Sequence, residues 1–357
     1  MMLPRPVAMQ AICLNRPCAS ALLAASLLLA ACDKAPEPQA VAAPTRQHQP
    51  ALELPVCGQT VRYDKVPQRA VTHDVNITES FLYLGLGRRL VGYSGIPSSK
   101  EISPQLKPWL QRLPDLSSQG MNLEVLLGAE ADFVFGGWSY GFRQGAVTPE
   151  RLASHGIASY VLSESCIRVQ KRERIALDDA LLDMENISRI FGVLQQTQPR
   201  IDKLRASQAQ LRQQMQGNRA LPRVFVYDSG QEIPVTVGHF GMPQAMLDEA
   251  GASNIFADLS QNWQRGNWED VIERDPEWIV IIDYGQPDAQ GKIEFLLQKK
   301  ELEAVSAVRN RRFFVMSYAE ATPGPRNIEA AQRLAAALHP ERKISVQPVE
   351  FAAGELP

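Results

Sequence analysis

At 357 residues the chain is longer than one compact core usually holds, and its 45% hydrophobic content supplies apolar surface for two domains, which excludes a disordered or fibrous protein. A formal net charge of -2 gives no basic field for a phosphate backbone, so a nucleic-acid partner is excluded and a small ligand is favoured.

Arg5 and Arg16 precede an apolar run from Ala19 to Ala31, too short to remain in a bilayer and of the right length for the h-region of a signal peptide over residues 1–31. The run closes on Leu29-Ala30-Ala31-Cys32, which resembles the bacterial lipobox, in which the cysteine carries diacylglycerol. Two acyl chains on Cys32, and a third on the new N-terminus, are enough for stable anchoring to a bacterial membrane. Cys13 and Cys18 leave with the signal, so Cys57 and Cys166 remain. An even pair in an oxidising compartment reads as one disulfide, the alternative being two separate buried thiols. From residue 32 to about Pro55 the chain is rich in Pro, Ala, Gln and Glu and cannot offset ordering entropy, which predicts a flexible tether.

Beyond it, short apolar runs alternate with helical patterns, as in βα units. Ala70 to Thr72, Leu90 to Tyr93, Phe133 to Gly136 and Ala158 to Leu162 form a first set of predicted strands. Val224 to Tyr227, Trp278 to Ile282 and Phe313 to Ser317 form a second. Between the sets, Asp178 to Gln216 carries leucine and isoleucine at helical spacing, interrupted by Gly192 and Pro199, and predicts a short helix followed by a longer connecting one. The implied domains are an N-terminal lobe over 56–192, a connecting helix over 193–220 and a C-terminal lobe over 221–357. The two sets also repeat one another. Asn122 to Leu127, followed by Ala131 to Phe135, aligns without a gap on Asn267 to Ile272, followed by Pro276 to Val280.

Arg69-Ala70-Val71-Thr72, Thr78-Glu79, Leu84-Gly85-Leu86-Gly87, Val91-Gly92 and Gly120-Met121-Asn122-Leu123-Glu124 resemble the periplasmic substrate-binding proteins of ABC importers for ferric siderophores and vitamin B12. The likeness runs from about Ala70 to Leu338. It implies an α/β fold of two Rossmann-like lobes with parallel sheets, a single long helix joining them, and a ligand cleft between. It implies no intrinsic cofactor, an iron or cobalt chelate as the ligand, a monomeric chain, and a permease dimer as partner. In such proteins one exposed glutamate per lobe docks on arginines of the permease, and by motif these are Glu124 and Glu269.

Ligands of α/β sheets lie beyond the strand ends. That places His73, Asp74, Tyr93, Trp138, Tyr140 and Arg143 toward the cleft from the first lobe. The second lobe offers Asp228, Ser229, His239, Phe240, Asp283, Tyr284, Tyr318, Glu320 and Arg326. Aromatic faces suit a bulky chelate, and guanidinium groups suit its carboxylate or phenolate oxygens. Two other readings use the same residues. His73, Asp74, Asp228, His239, Asp283 and Glu320 form a nitrogen and oxygen set for a bare zinc or manganese ion, beside haem as another possible ligand. The same carboxylates and histidines would serve a periplasmic hydrolase, although His-Glu-x-x-His and Walker motifs are absent.

Overall fold

The computed structural model describes residues 51–100, 102–217 and 221–351. The signal peptide, Cys32 and the tether through residue 50 lie outside these residues. Leu52 to Pro55, assigned to the tether by composition, are instead ordered as strand β1 (Leu52–Val56), which pairs antiparallel with β2 (Gln59–Tyr63). The reason is local alternation: Leu54 and Val56 point inward and are buried while Glu53 and Pro55 face water. A disulfide joins Cys57, in the turn of this hairpin, to Cys166.

The first lobe continues with β3 (Ala70–His73), α1 (Val75–Tyr83), β4 (Leu90–Ser94), α2 (Lys107–Leu110), β5 (Asp115–Ser117), α3 (Leu123–Gly128), β6 (Phe133–Trp138), β7 (Gly141–Phe142), α4 (Pro149–Ala153) and β8 (Ala158–Val161). Its parallel sheet runs β5-β4-β3-β6-β7, with β8 also on β6. Helices α5 (Leu177–Ile190) and α6 (Leu194–Gln214) follow. The break between them falls at Gly192, whose φ of 66° only glycine adopts without strain, whereas Pro199 is carried inside α6. Helix α6 is the long connector expected between the lobes.

The second lobe comprises β9 (Arg223–Tyr227), β10 (Val235–Val237), α7 (Met242–Glu249), β11 (Ser253–Asn254), β12 (Trp263–Arg265), α8 (Trp268–Arg274), β13 (Trp278–Asp283), α9 (Ala289–Gln298), α10 (Ser306–Arg309), β14 (Phe313–Ser317), α11 (Tyr318–Ala321) and α12 (Asn327–Leu338). Its parallel sheet runs β11-β9-β13-β14, and β10 and β12 form a small antiparallel ribbon.

Central strands of both sheets are buried on both faces, which is why they read as continuous apolar runs. In β9, Val224 and Val226 face a core shared with the first lobe, while Phe225 and Tyr227 face a separate cluster with Trp268 and Leu296. The two sheets lie in one compact unit.

Candidate functional site

In each sheet the chain leaves a central strand in one direction and returns on its other side, which opens a crevice at the carboxyl ends of the two strands. In the first lobe these strands are β3 and β6, and in the second they are β9 and β13. The ends of the first pair carry His73, Asp74 and Ser139, and the ends of the second carry Asp228, Ser229 and Tyr284.

Asp74 joins the two sets. Its backbone has φ 80° and ψ 160°, a region almost confined to glycine, and it caps α1 by accepting a hydrogen bond from the Val75 amide at 2.7 Å. The carboxylate also accepts from Lys100 Nζ at 2.8 Å and, across the lobes, from the Tyr318 hydroxyl at 2.8 Å. Ser139 has φ 71°, so two non-glycine residues with left-handed backbone line one chamber. That chamber, about 530 Å³, is walled by His73, Asp74, Lys100, Phe142, Arg143 and Tyr318 among others. A second cavity of about 200 Å³ shares Ser139 and Tyr318 and adds Tyr140, Arg168, Asp228, Asn262, Trp263 and Tyr284.

The electrostatics follow from burial. The His73 imidazole is pushed down to about 4, first by desolvation and then by Lys100 against the opposing pull of Asp74, and its Nδ1 lies 2.8 Å from Ser94 Oγ. It is neutral at ordinary pH. Desolvation also raises the Asp228 carboxyl, although the Tyr284 hydroxyl (2.7 Å) and Ser229 hydroxyl (2.8 Å) donate to it. Burial raises the Tyr140, Tyr284 and Tyr318 hydroxyls, so all three remain protonated donors. Lys100 sits 4.2 Å above the Tyr318 ring, and the Tyr284 ring meets Tyr318 edge-on at 5.2 Å. Arg143 is exposed on the chamber rim and has no ion-pair partner among the described residues.

Several residues expected at the cleft lie elsewhere. Tyr93 is on the face of β4 opposite Ser94, because successive side chains alternate. Trp138 is buried against Phe142. His239 packs on Phe240 at 4.8 Å with Nε2 3.3 Å from the Glu173 carbonyl oxygen. Asp283 accepts from the Ala289 amide at the start of α9. Glu320 accepts from the Ser317 amide and pairs with Arg333. Arg326 pairs with buried Glu79 of α1. Among the described residues no group of three or more His, Cys, Asp or Glu side chains is arranged to hold a metal ion, so the bare-metal set is dispersed.

Lys100, Arg168, Asn262 and Trp263 line the cavities and were not expected there. Lys100 follows a strand end by six residues, and inspection of the whole loop after β4 would have found it. Arg168, which donates to Asn262 across the lobes at 2.9 Å, gives no such signal. Glu124 and Glu269 are exposed, each the second residue of its helix, and neither has an ion-pair partner among the described residues.

The chain is similar to known proteins over most of its described length. It is 25% identical over 277 residues to the vitamin B12-binding protein of Pectobacterium carotovorum subsp. carotovorum (strain PC1), covering 76% of this chain and 89% of that one. The solved structure of a periplasmic binding protein from Veillonella parvula dsm 2008 aligns with a TM-score of 0.70 at 26% identity, over 81% of this chain and 98% of that one. An ABC-type Fe3+-hydroxamate transport system structure from Saccharomonospora viridis DSM 43017 aligns with a TM-score of 0.69 at 22% identity, over 80% of this chain and 98% of that one, a likeness of fold. The family described as "Periplasmic binding protein" matches residues 71–319. Two parallel-sheet lobes on one long helix, with a chamber between their strand ends, thus place the chain in the periplasmic binding protein family, a family of substrate-binding proteins and not of enzymes.

Proposed function

We propose that the chain is the lipid-anchored, periplasmic substrate-binding subunit of an ABC importer, carrying a ferric siderophore or a similar iron or cobalt chelate to the permease. The observation that carries this reading is the 530 Å³ chamber with Arg143 on its rim. The volume falls in the range of about 300–1,000 Å³ typical of small-molecule sites. Lys100 is already neutralised by Asp74, which leaves Arg143 as the guanidinium for an anionic oxygen on the cargo. Phe142 and Tyr318 supply apolar and aromatic wall.

Relatives named for this class of cargo, vitamin B12 in one and a ferric hydroxamate in another, support the reading. Titration of the soluble protein with ferric trihydroxamate, ferric tricatecholate, cyanocobalamin and haemin, followed by tryptophan fluorescence, tests it. At least one iron or cobalt chelate is expected to saturate the protein, and Arg143→Gln to weaken it by about tenfold. Binding of none of the four overturns the reading. The anchor is tested separately: Cys32→Ser is expected to abolish palmitate labelling, and labelling that persists rules out acylation at this cysteine.

A further inference from the structure

The two aligned segments share more than a glutamate. In α3, Leu123 and Leu126 are buried while Glu124 and Leu127 are exposed. In α8, Trp268 and Val271 are buried while Glu269 and Ile272 are exposed. Leu127 is 42% and Ile272 39% exposed, and they are two of eight large hydrophobic side chains so exposed among the described residues. A single exposed aliphatic needs no explanation. The same aliphatic at the same repeat position in both lobes, three residues after an unpaired carboxylate, is a matched pair. Residues three apart share one side of a helix, so each lobe presents one acid and one apolar side chain together.

Their location adds to the argument. Helix α3 leads into β6 and α8 into β13, so both helices begin at the sheet edge where the strands end, which is the cleft edge. Met121, one residue before the Asn122 cap, lines the larger chamber, and Trp263, shortly before the Asn267 cap, lines the smaller one. Two equivalent patches thus follow directly on the segments that line the two cavities.

We propose that Leu127 and Ile272 are apolar anchors for the permease, each seated beside a glutamate in a recess that combines a basic side chain with apolar wall. A partner with two such recesses related by two-fold symmetry fits this repeat, because each of its subunits then meets the same acid and aliphatic pair. This rests on the permease-docking reading of Glu124 and Glu269. The glutamates give on-rate and orientation, and the aliphatics slow dissociation by removing apolar surface from water.

The test compares two double variants of the full chain binding to its cognate permease in nanodiscs, at low and at high salt. Leu127→Gln with Ile272→Gln is expected to weaken docking about tenfold or more while keeping the salt dependence of the parent. Glu124→Gln with Glu269→Gln is expected to weaken docking and to flatten the salt dependence. Leu127→Met with Ile272→Met, which keeps apolar area, is expected to dock as the parent does, and it guards against a folding defect in the glutamine pair. If the aliphatic-to-glutamine variant docks normally and the glutamate variant does not, the anchor proposal fails and the docking reading stands. If the methionine pair docks as poorly as the glutamine pair, shape at these helices matters and apolar anchoring is overturned. If both glutamine variants dock normally, the docking reading itself fails.

Discussion

Glu164 is a carboxyl of the first lobe that serves the second. It lies beyond β8, and its Oε1 accepts from the Met242 amide at 2.9 Å, at the start of α7, where the cap residue Gly241 has no side chain to offer. Its Oε2 accepts from the Tyr140 hydroxyl at 2.9 Å and from Asn262 Nδ2 at 3.4 Å. Burial pushes the carboxyl up to about 7, against the pull of these donors and of Arg168. A folded value above the unfolded one means that its stability contribution is complete below about 4.5 and is lost as pH rises through 7. The difference is worth about 3 kcal/mol. Asp183, also raised to about 7, acts in the same direction, whereas His73, lowered to about 4, loses stability as pH falls from 6.5 through 4. The wild-type profile therefore mixes opposing terms, and a variant isolates one. Glu164→Gln is expected to gain up to about 3 kcal/mol relative to wild type between pH 5 and pH 8, measured by urea unfolding. A constant difference across that range removes the argument that the folded protein pays to ionise this group.

At the level of elements, what was legible depends on how a segment is buried. The seven apolar runs read as strands are β3, β4, β6, β8, β9, β13 and β14, with ends within two residues, and the central ones, β3, β6, β9 and β13, are legible because strands covered on both faces read as continuous apolar runs. The remaining strands were missed. Asp115–Ser117, Gly141–Phe142 and Ser253–Asn254 are two or three residues long and polar or glycine-containing, so no periodicity can develop in them. The β1–β2 hairpin was hidden by proline and glutamate at its outward positions. Helix α6 runs through Pro199, placed early enough that the rest of the helix follows unbroken, while the helix break went to the glycine two residues beyond α5. The site shows the same division. Strand-end positions located His73, Asp74, Asp228 and Tyr284, because topology alone sends them to the crevice. Which way a loop side chain turns is set by tertiary contacts, so Asp283, Glu320 and His239 gave no warning that they satisfy backbone groups or pack against neighbours.

On the scale of the whole molecule, the lobes are tied at separate places along their border. Near the chamber, Tyr318 donates to Asp74 and the Gly285 amide donates to the Ser99 carbonyl at 3.1 Å. On another part of the border, Arg326 holds Glu79, which also accepts from the Ser103 amide at 3.0 Å. The Arg326 guanidinium lies 4.9 Å over the ring of Phe351, whose edge meets Tyr83 of the first lobe at 5.7 Å. The C-terminal segment thus covers an ion pair whose acid is 0% exposed. Paired, such charges offset their own desolvation, and replacing both by apolar groups of similar size is often neutral; removing one strands the other without a counter-charge. Arg326→Met is therefore expected to cost about 3–5 kcal/mol in urea unfolding, because among the described residues Glu79 then keeps only the Ser103 amide. Glu79→Leu combined with Arg326→Met is expected to recover most of that loss. Since Ser103 belongs to the same loop as Lys100, the single variant is also expected to weaken chelate binding, and the double variant to restore it only in part, having lost the loop anchor. A single variant as stable as the parent would mean that this pair does not hold the lobes.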